Sequence, residues 1–574
     1  MLRTFLCFVF CFVLVDATIA QTWKIDTLKA TFKTRGSFDS LDLHSRTFSL
    51  PYVAFGFGNL LNEKILLPNQ QFVVEKSSVP RHIVYSALPH VGFAYSFGQQ
   101  GTQLLSANYQ QVISPLILLN AEIEQNQFAG FQRNSAFKDL QYGLLMRIST
   151  ARIENILSLK NTSTSANWSG GITNDSLLLI LPQNLLTVNK EEASSKNTYR
   201  NLQNTFRYQI NKESSTKLGV ELAGEYSRLN RYYLEKGEIA TYYPLVNIDS
   251  SETADSIYLN RVITKAGIFL ERSSLQISSN LCLEQWGFNT MGRDSDTTEL
   301  TLDYNLTYKA KTWRFASHGI FGLYGNFSSL DLINEFVIGM KSLNFRLNNQ
   351  ISRLPPSPFI RNYRGNNLDY ITNSISLQQH STIATEIRYL KSIFSFHLGS
   401  NYQQLNGVYF FNSVNWSPNL NERIDLIKVF SKVLVNSKRL SGQLSYQFTS
   451  MDEVVRYLPQ HQTMLRFAIK SGLFKNARLK TMMGIDAFHL SAHKRLVFSP
   501  VMGAFDMEAL SNSPNLPGFY TIGAFANFNV NQFRFFARID NISYLWMEKR
   551  IEILKGYYYP STQFKLGITW DFWN

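Results

Sequence analysis

The chain has 574 residues and a formal net charge of +14, from 56 Lys and Arg against 42 Asp and Glu. Only 17% of its residues are charged, against about 25% in ordinary soluble domains, while 14% are aromatic, with 43 Phe and 28 Tyr. Three cysteines exclude a disulfide-stapled scaffold, and the nine His lack the spacing of a zinc site, so neither a metal nor another cofactor is expected.

Residues 1–20 place Arg3 before an apolar run from Phe5 to Val15, followed by the small residues Thr18 and Ala20 ahead of Gln21. This is the layout of a signal peptide, and the run is short of the ~20 residues of a spanning helix. Cys7 and Cys11 lie inside it, so the mature chain keeps Cys282 alone and forms no internal disulfide. Residues 21–89 alternate weakly and are interrupted by Pro51 and Pro68. They read as a periplasmic segment or one that enters a lumen. Gly56-Phe57-Gly58 lacks the third glycine and the helix of a nucleotide loop, and no nucleic-acid partner is expected.

From residue 90 onward a period of two recurs. Leu218, Val220, Leu222 and Tyr226 oppose Lys217, Glu221 and Glu225. Leu300, Leu302, Tyr304, Leu306 and Tyr308 oppose Thr301, Asp303, Asn305, Thr307 and Lys309. Leu440, Leu444, Tyr446 and Phe448 oppose Ser441, Gln443, Ser445 and Gln447, and similar runs extend to the C-terminus. Such alternation marks strands, and many runs match the 9–11 residues of a tilted strand that crosses a bilayer. Turn-rich stretches separate them, among them KNTSTSANWSGG and LPPSPFIRNYRGNN. The last run carries Phe564, Leu566, Ile568, Trp570 and Phe572 on one parity, almost at the final residue.

A sheet can span hydrocarbon only if it closes, because every peptide group must find a partner within the protein. One side of each strand then faces lipid and the other the lumen, which is the observed alternation. A soluble β-sandwich also alternates, but with shorter strands and a dry core. The sequence therefore predicts an all-β fold, a transmembrane antiparallel β-barrel of about 16–18 strands over residues 90–574. The 564–572 strand should pair with the first strand to close it.

Two regions resemble the putative β-barrel porin family of Bacteroidetes-type bacteria. In residues 99–134 the features are Gln99–Gln100, Gln110–Gln111, Ser114–Pro115 and Gly130–Phe131. Near the end they are Phe536, Arg538, Ile539 and Asn541, then Tyr559, Pro560, Gly567, Ile568, Trp570 and Phe572. Ser561-Thr562 stand where the family often has Gly-Arg, and Asn574 follows Trp573. The resemblance implies an outer-membrane, porin-like protein and no particular solute. Its expected partners are outer-membrane lipid and lipopolysaccharide, the barrel-insertion machinery and small solutes; whether it forms a homo-oligomer is left open.

The expected activity is non-enzymatic passive diffusion of small hydrophilic solutes through the outer membrane. Ser, His and Asp occur without the spacing of a hydrolase, and SAHKR around His493 reads equally as a solvated loop. A receptor powered through TonB needs a longer plug than residues 21–89 supply. The alternative is a transporter for hydrophobic substrates in which those residues form a short hatch. Lumen-parity basic residues are Lys309, Arg314, Arg346, Arg388, Arg466, Arg534 and Arg538. They suggest a modest preference for anions, unless acids such as Glu386 and Asp540 neutralise them. The loop at 353–367, with Arg353, Arg361 and Arg364 among its prolines, either folds inward as a constriction or stays external.

Overall fold

A computed structural model gives the protein's structure. It describes residues 89–573 except for 212–214, 238, 240–242, 244, 326–328, 357, 372–376, 412–415, 419–422, 452–457, 475–477, 507–512 and 548–550. The expected signal peptide (1–20) and nearly all of the 21–89 segment lie outside the described residues.

Twenty-two strands form one sheet, and each pairs antiparallel with its neighbours. The first strand, His90–Gly98, pairs on one side with Gln103–Ser114 and on the other with the last, Gln563–Trp573. The latter register runs from His90 opposite Trp573 to Gly98 opposite Lys565, so the sheet closes and keeps no edge. The barrel class is as the sequence predicts, but the strand number is 22 rather than 16–18. Part of the difference lies in strands such as Ile153–Asn167 and Ala193–Gln209, whose two faces are both largely polar over much of their length. The first of these contains most of KNTSTSANWSGG, so Lys160–Asn167 is strand and not turn.

Strand parity decides which side each residue takes. On Thr216–Lys236, Glu221, Ser227, Arg231, Tyr233 and Glu235 are buried, while Leu218, Leu222, Tyr226, Tyr232 and Leu234 are exposed. The closing strand repeats this, with Phe564 and Trp570 exposed and Gln563 and Lys565 buried. A soluble protein does the opposite. Each large apolar side chain left in water forfeits roughly 1.5–3 kcal/mol, so the outer belt of Leu, Ile and Phe is stable only against hydrocarbon.

The two rims differ. At the rim that holds His90 and Trp573 the turns are short, as at 273–274, 341–342, 392–393 and 531–532. Aromatic pairs gather on the outer face there, including Tyr308 with Trp313 and Phe533 with Trp570. Rings with a polar edge favour a membrane boundary. The opposite rim carries the long connections 168–192, 355–377, 407–423, 491–518 and 541–562. Short turns face the periplasm and long loops the exterior in barrels of this kind.

The largest apolar core lies at the long-loop rim. It joins inward residues near strand ends, such as Phe128, Phe137, Ile257, Leu405 and Leu426, to loop residues such as Phe359, Tyr363, Tyr409, Met502 and Phe505. A small four-stranded sheet knits two of these loops: Tyr409–Phe411 pairs with Trp416–Pro418 and with Ala504–Asp506, which pairs with Val497–Ser499. Two of these loops touch backbone to backbone where Gly171 meets Gly556. Their φ values are +90° and +75°, and a Cβ on Gly171 would stand 2.9 Å from the Gly556 Cα.

Candidate functional site

The interior wall is a sequence of ion pairs. Alternate residues on adjacent strands stand side by side, so opposite charges on the inward parity meet across the ladder. On one stretch Arg314 pairs with Glu335, Glu335 lies 3.8 Å from Arg346, and Arg346 lies 3.6 Å from Glu386. Glu386 also accepts from Arg388 at 2.6 Å and contacts His397. On the neighbouring stretch Lys265 donates to Asp303 at 3.0 Å, with His318 at 3.5 Å on the other carboxylate oxygen. Arg261 grips Glu284 with two hydrogen bonds of 2.6 and 3.0 Å, a planar fork on a planar carboxylate. Arg207 bridges Glu221 and Glu271.

Beside the closure, Arg538 donates to Asp486 at 2.7 Å and also binds Asp540, which accepts from Lys565 at 3.0 Å. Arg466 lies 4.0 Å from Asp486, and its guanidinium is 4.5 Å from the centre of the Phe525 ring. Arg534 faces Asp571, which also faces His90, both at 3.7 Å.

All seven basic residues singled out in the sequence lie on barrel strands. Arg314, Arg346, Arg388, Arg466, Arg534 and Arg538 each meet a carboxylate, while Lys309 is exposed at the end of its strand beside the 310–312 turn. The acids named as neutralising partners, Glu386 and Asp540, are among those they meet. The six divide by exposure. Arg314 and Arg388 keep 42% and 41% of their side chains accessible, whereas Arg466 and Arg538 keep 5% and 2%. The first pair stays open to the interior; the second is built into the wall. Cys282 is buried on the inward parity, with its sulfur 3.8 Å from the Asn280 carbonyl.

The mouth is the second part of the site, and composition did not point to most of it. The loop at 353–367 folds inward: Phe359, Ile360 and Tyr363 are buried, and Tyr370 donates to the Phe359 carbonyl at 2.9 Å. Arg293 crosses from the barrel wall to Asp369 at 2.7 Å and to the Tyr363 carbonyl at 3.1 Å. The 491–518 loop brings Val501, Met502 and Phe505 into the same core. His493 is buried rather than solvated, and its Nδ1 lies 3.2 Å from the Ser491 carbonyl. Trp168 stacks obliquely on Phe498 at 4.9 Å and donates to Ser195 at 2.8 Å. Lys190 and Glu235 form a buried pair beneath Tyr243, whose hydroxyl donates to Glu235 at 2.8 Å. Burial lowers the Lys190 pKa, against the pull of Glu235. The sequence did contain a signal for this cap: apolar residues such as Ile424 and Leu426 sit on the inward parity at strand ends.

A wide ring of polar side chains thus leads to an apolar cap made from the barrel's own loops. Diameter grows with strand number, and 22 strands enclose more space than side chains alone can fill. The loops supply part of that filling at one rim.

Comparison with known proteins agrees with this architecture. A family model described as Putative porin matches residues 80–574. No curated protein matches the chain. Among solved structures, the copper transporter OprC superimposes with a TM-score of 0.62 at 9% identity, over 85% of this chain and 81% of that one. The siderophore receptor PirA from Acinetobacter baumannii gives 0.60 at 9%, covering 85% and 81%. The ferric-catecholate import receptor Fiu from E. coli K12, in its closed form, gives 0.59 at 11%, covering 85% and 82%. At these identities the likeness is one of fold.

Proposed function

We propose, from the fact that the chain belongs to the putative porin family, that it passes small hydrophilic solutes through the outer membrane by passive, non-enzymatic diffusion. Family and fold together make it an outer-membrane barrel of the channel or transporter kind. The single observation that carries the finer reading is the inner wall. Ion pairs from Arg207 to Arg388 present charge and hydrogen-bonding groups to the interior, which suits hydrated solutes and opposes an oily one.

The partly exposed residues Arg207, Arg314, Arg346 and Arg388 are the ones we assign to the solute path. Because Glu221, Glu335 and Glu386 accompany them, the anion preference is weak. The same pairing supports a modest selectivity rather than a single bound ion. Lipid, lipopolysaccharide and the barrel-insertion machinery remain the proposed macromolecular surroundings.

A second reading has two observations in its favour. Barrels of 22 strands are typical of transporters with a filled lumen, and import receptors are among the similar folds. In that reading residues 21–89 would supply a hatch. Liposome swelling separates the two. Purified protein in vesicles should let glucose in at a rate proportional to its concentration. Glucose exclusion by correctly folded protein would favour the hatched transporter.

A further inference from the structure

Two side chains on adjacent strands fasten the cap to the wall. Arg231 stands opposite Ile257 in the ladder, and Asp255 stands opposite Tyr233, so both project inward two residues apart in register. Arg231 is 4% exposed and donates to three successive carbonyls, Pro500 at 2.8 Å, Val501 at 2.7 Å and Met502 at 2.7 Å. Its strand is the seventh, and the loop it holds leaves the nineteenth. Around a ring of 22 that is twelve strand steps one way and ten the other. The loop therefore reaches Arg231 from the opposite wall.

Asp255 holds the other inward loop. It accepts from the Tyr363 hydroxyl at 2.9 Å and from the Asn366 backbone N–H at 2.8 Å. Asn366 extends the join, donating to the carbonyls of Asp249 and Glu252 and to the Thr253 hydroxyl. The backbone passes so close that a Cβ on Gly365 would lie 2.2 Å from the Asp255 Oδ2. A guanidinium given to three backbone carbonyls, and a carboxylate given to a backbone N–H, fix where a loop runs, whatever side chains it carries. The two loops are tied together as well as to the wall: both contribute to one apolar core, through Tyr363 and Met502.

We infer that Arg231 and Asp255 are latches, positioning residues that hold the two loops across the mouth and thereby set the largest solute that passes. The inference rests on the channel reading of the barrel. It predicts that size selectivity resides in the loop path and not in the charged ladder below it.

The test compares the full-length wild-type chain with Arg231→Met, Arg231→Lys and Gly365→Val. The last variant disturbs the Asp255 latch without removing a charge. Each is purified, checked for folding by the heat-dependent shift of its gel band, and assayed by single-channel conductance and by vesicle swelling in glucose, maltose and raffinose. Arg231→Met and Gly365→Val should conduct several-fold more and admit a larger saccharide. Arg231→Lys, whose ammonium keeps three donors, should stay nearer the wild type. Folded variants with wild-type conductance and an unchanged saccharide limit would overturn the latch, and so would variants as silent as a silent wild type. A silent wild type with conducting variants would support the latch and overturn passive diffusion instead.

Discussion

Arg538 donates to Asp486 at 2.7 Å across an intervening strand, over the α-carbon of Gly523. A Cβ at Gly523 would stand 2.8 Å from the carboxylate and 3.2 Å from the guanidinium, so the pair exists because that position has no side chain. Arg538→Ala leaves Asp486 and Asp540 buried beside fewer cations. Removing one partner of a buried pair costs roughly 3–5 kcal/mol. Urea unfolding in lipid vesicles should show that loss, and Gly523→Leu should also destabilise. A change under about 1 kcal/mol in Arg538→Ala would place the pair among the dispensable surface bridges.

The lipid-facing assignment makes a prediction by parity. Ile485 is 53% exposed on the outer face, and Gln443 lies on the inward parity. A lysine on the lipid face near the bilayer midplane costs about 2–4 kcal/mol, whereas lumen positions tolerate charge. Ile485→Lys should therefore destabilise the barrel in vesicles by that amount, and Gln443→Lys by much less. The reverse order would mean the faces have been assigned the wrong way round.

Charge selectivity should follow the ladder. Glu386 meets Arg346, Arg388 and His397 at once. Glu386→Gln removes the shared negative charge and leaves the guanidinium groups facing the interior. The reversal potential in a salt gradient should shift toward anions, and Arg388→Gln should shift it toward cations. Identical reversal potentials in all three proteins would remove these residues from the solute path.

His493 should give the cap a pH dependence. Burial lowers its pKa below the ordinary 6.5, while the Ser491 carbonyl works in the other direction. The folded form thus prefers neutral imidazole. Well above pH 6.5 neither state takes a proton and the full stability is present. As the pH falls below that value the opened loop binds a proton first, so stability is lost toward acid by at most about 1.4 kcal/mol per pH unit. Limited proteolysis of the 491–506 segment should accelerate below pH 6, and His493→Gln should flatten the profile. A wild-type cleavage rate independent of pH between 5 and 7.5 would contradict this.

Much of the architecture is legible in the sequence because a closed sheet in lipid imposes a period of two. Leu566 and Ile568 against Lys565 and Gly567 announce the closing strand, and it does pair with His90–Gly98. The strand number is less legible. Outside the bilayer a strand no longer needs an apolar face, so the upper part of Ala193–Gln209, with Lys196 and Arg200 on its outer parity, carries no alternation. The ladder is partly legible: parity placed Arg346 and Arg538 inside but did not pair them, since pairing depends on register across strands. The cap is least legible. Tyr363 and Asp255 are 108 residues apart, and Arg231 is 271 from Met502. Nothing local to either partner reveals such a contact.

If the proposed passive channel is right, the closed barrel with its wet interior conducts. Single-channel recording of the purified full-length chain in a planar bilayer tests it most directly. Discrete, ohmic current steps whose size scales with salt concentration are expected. A correctly folded protein that inserts and passes no current under any applied voltage would contradict the passive channel.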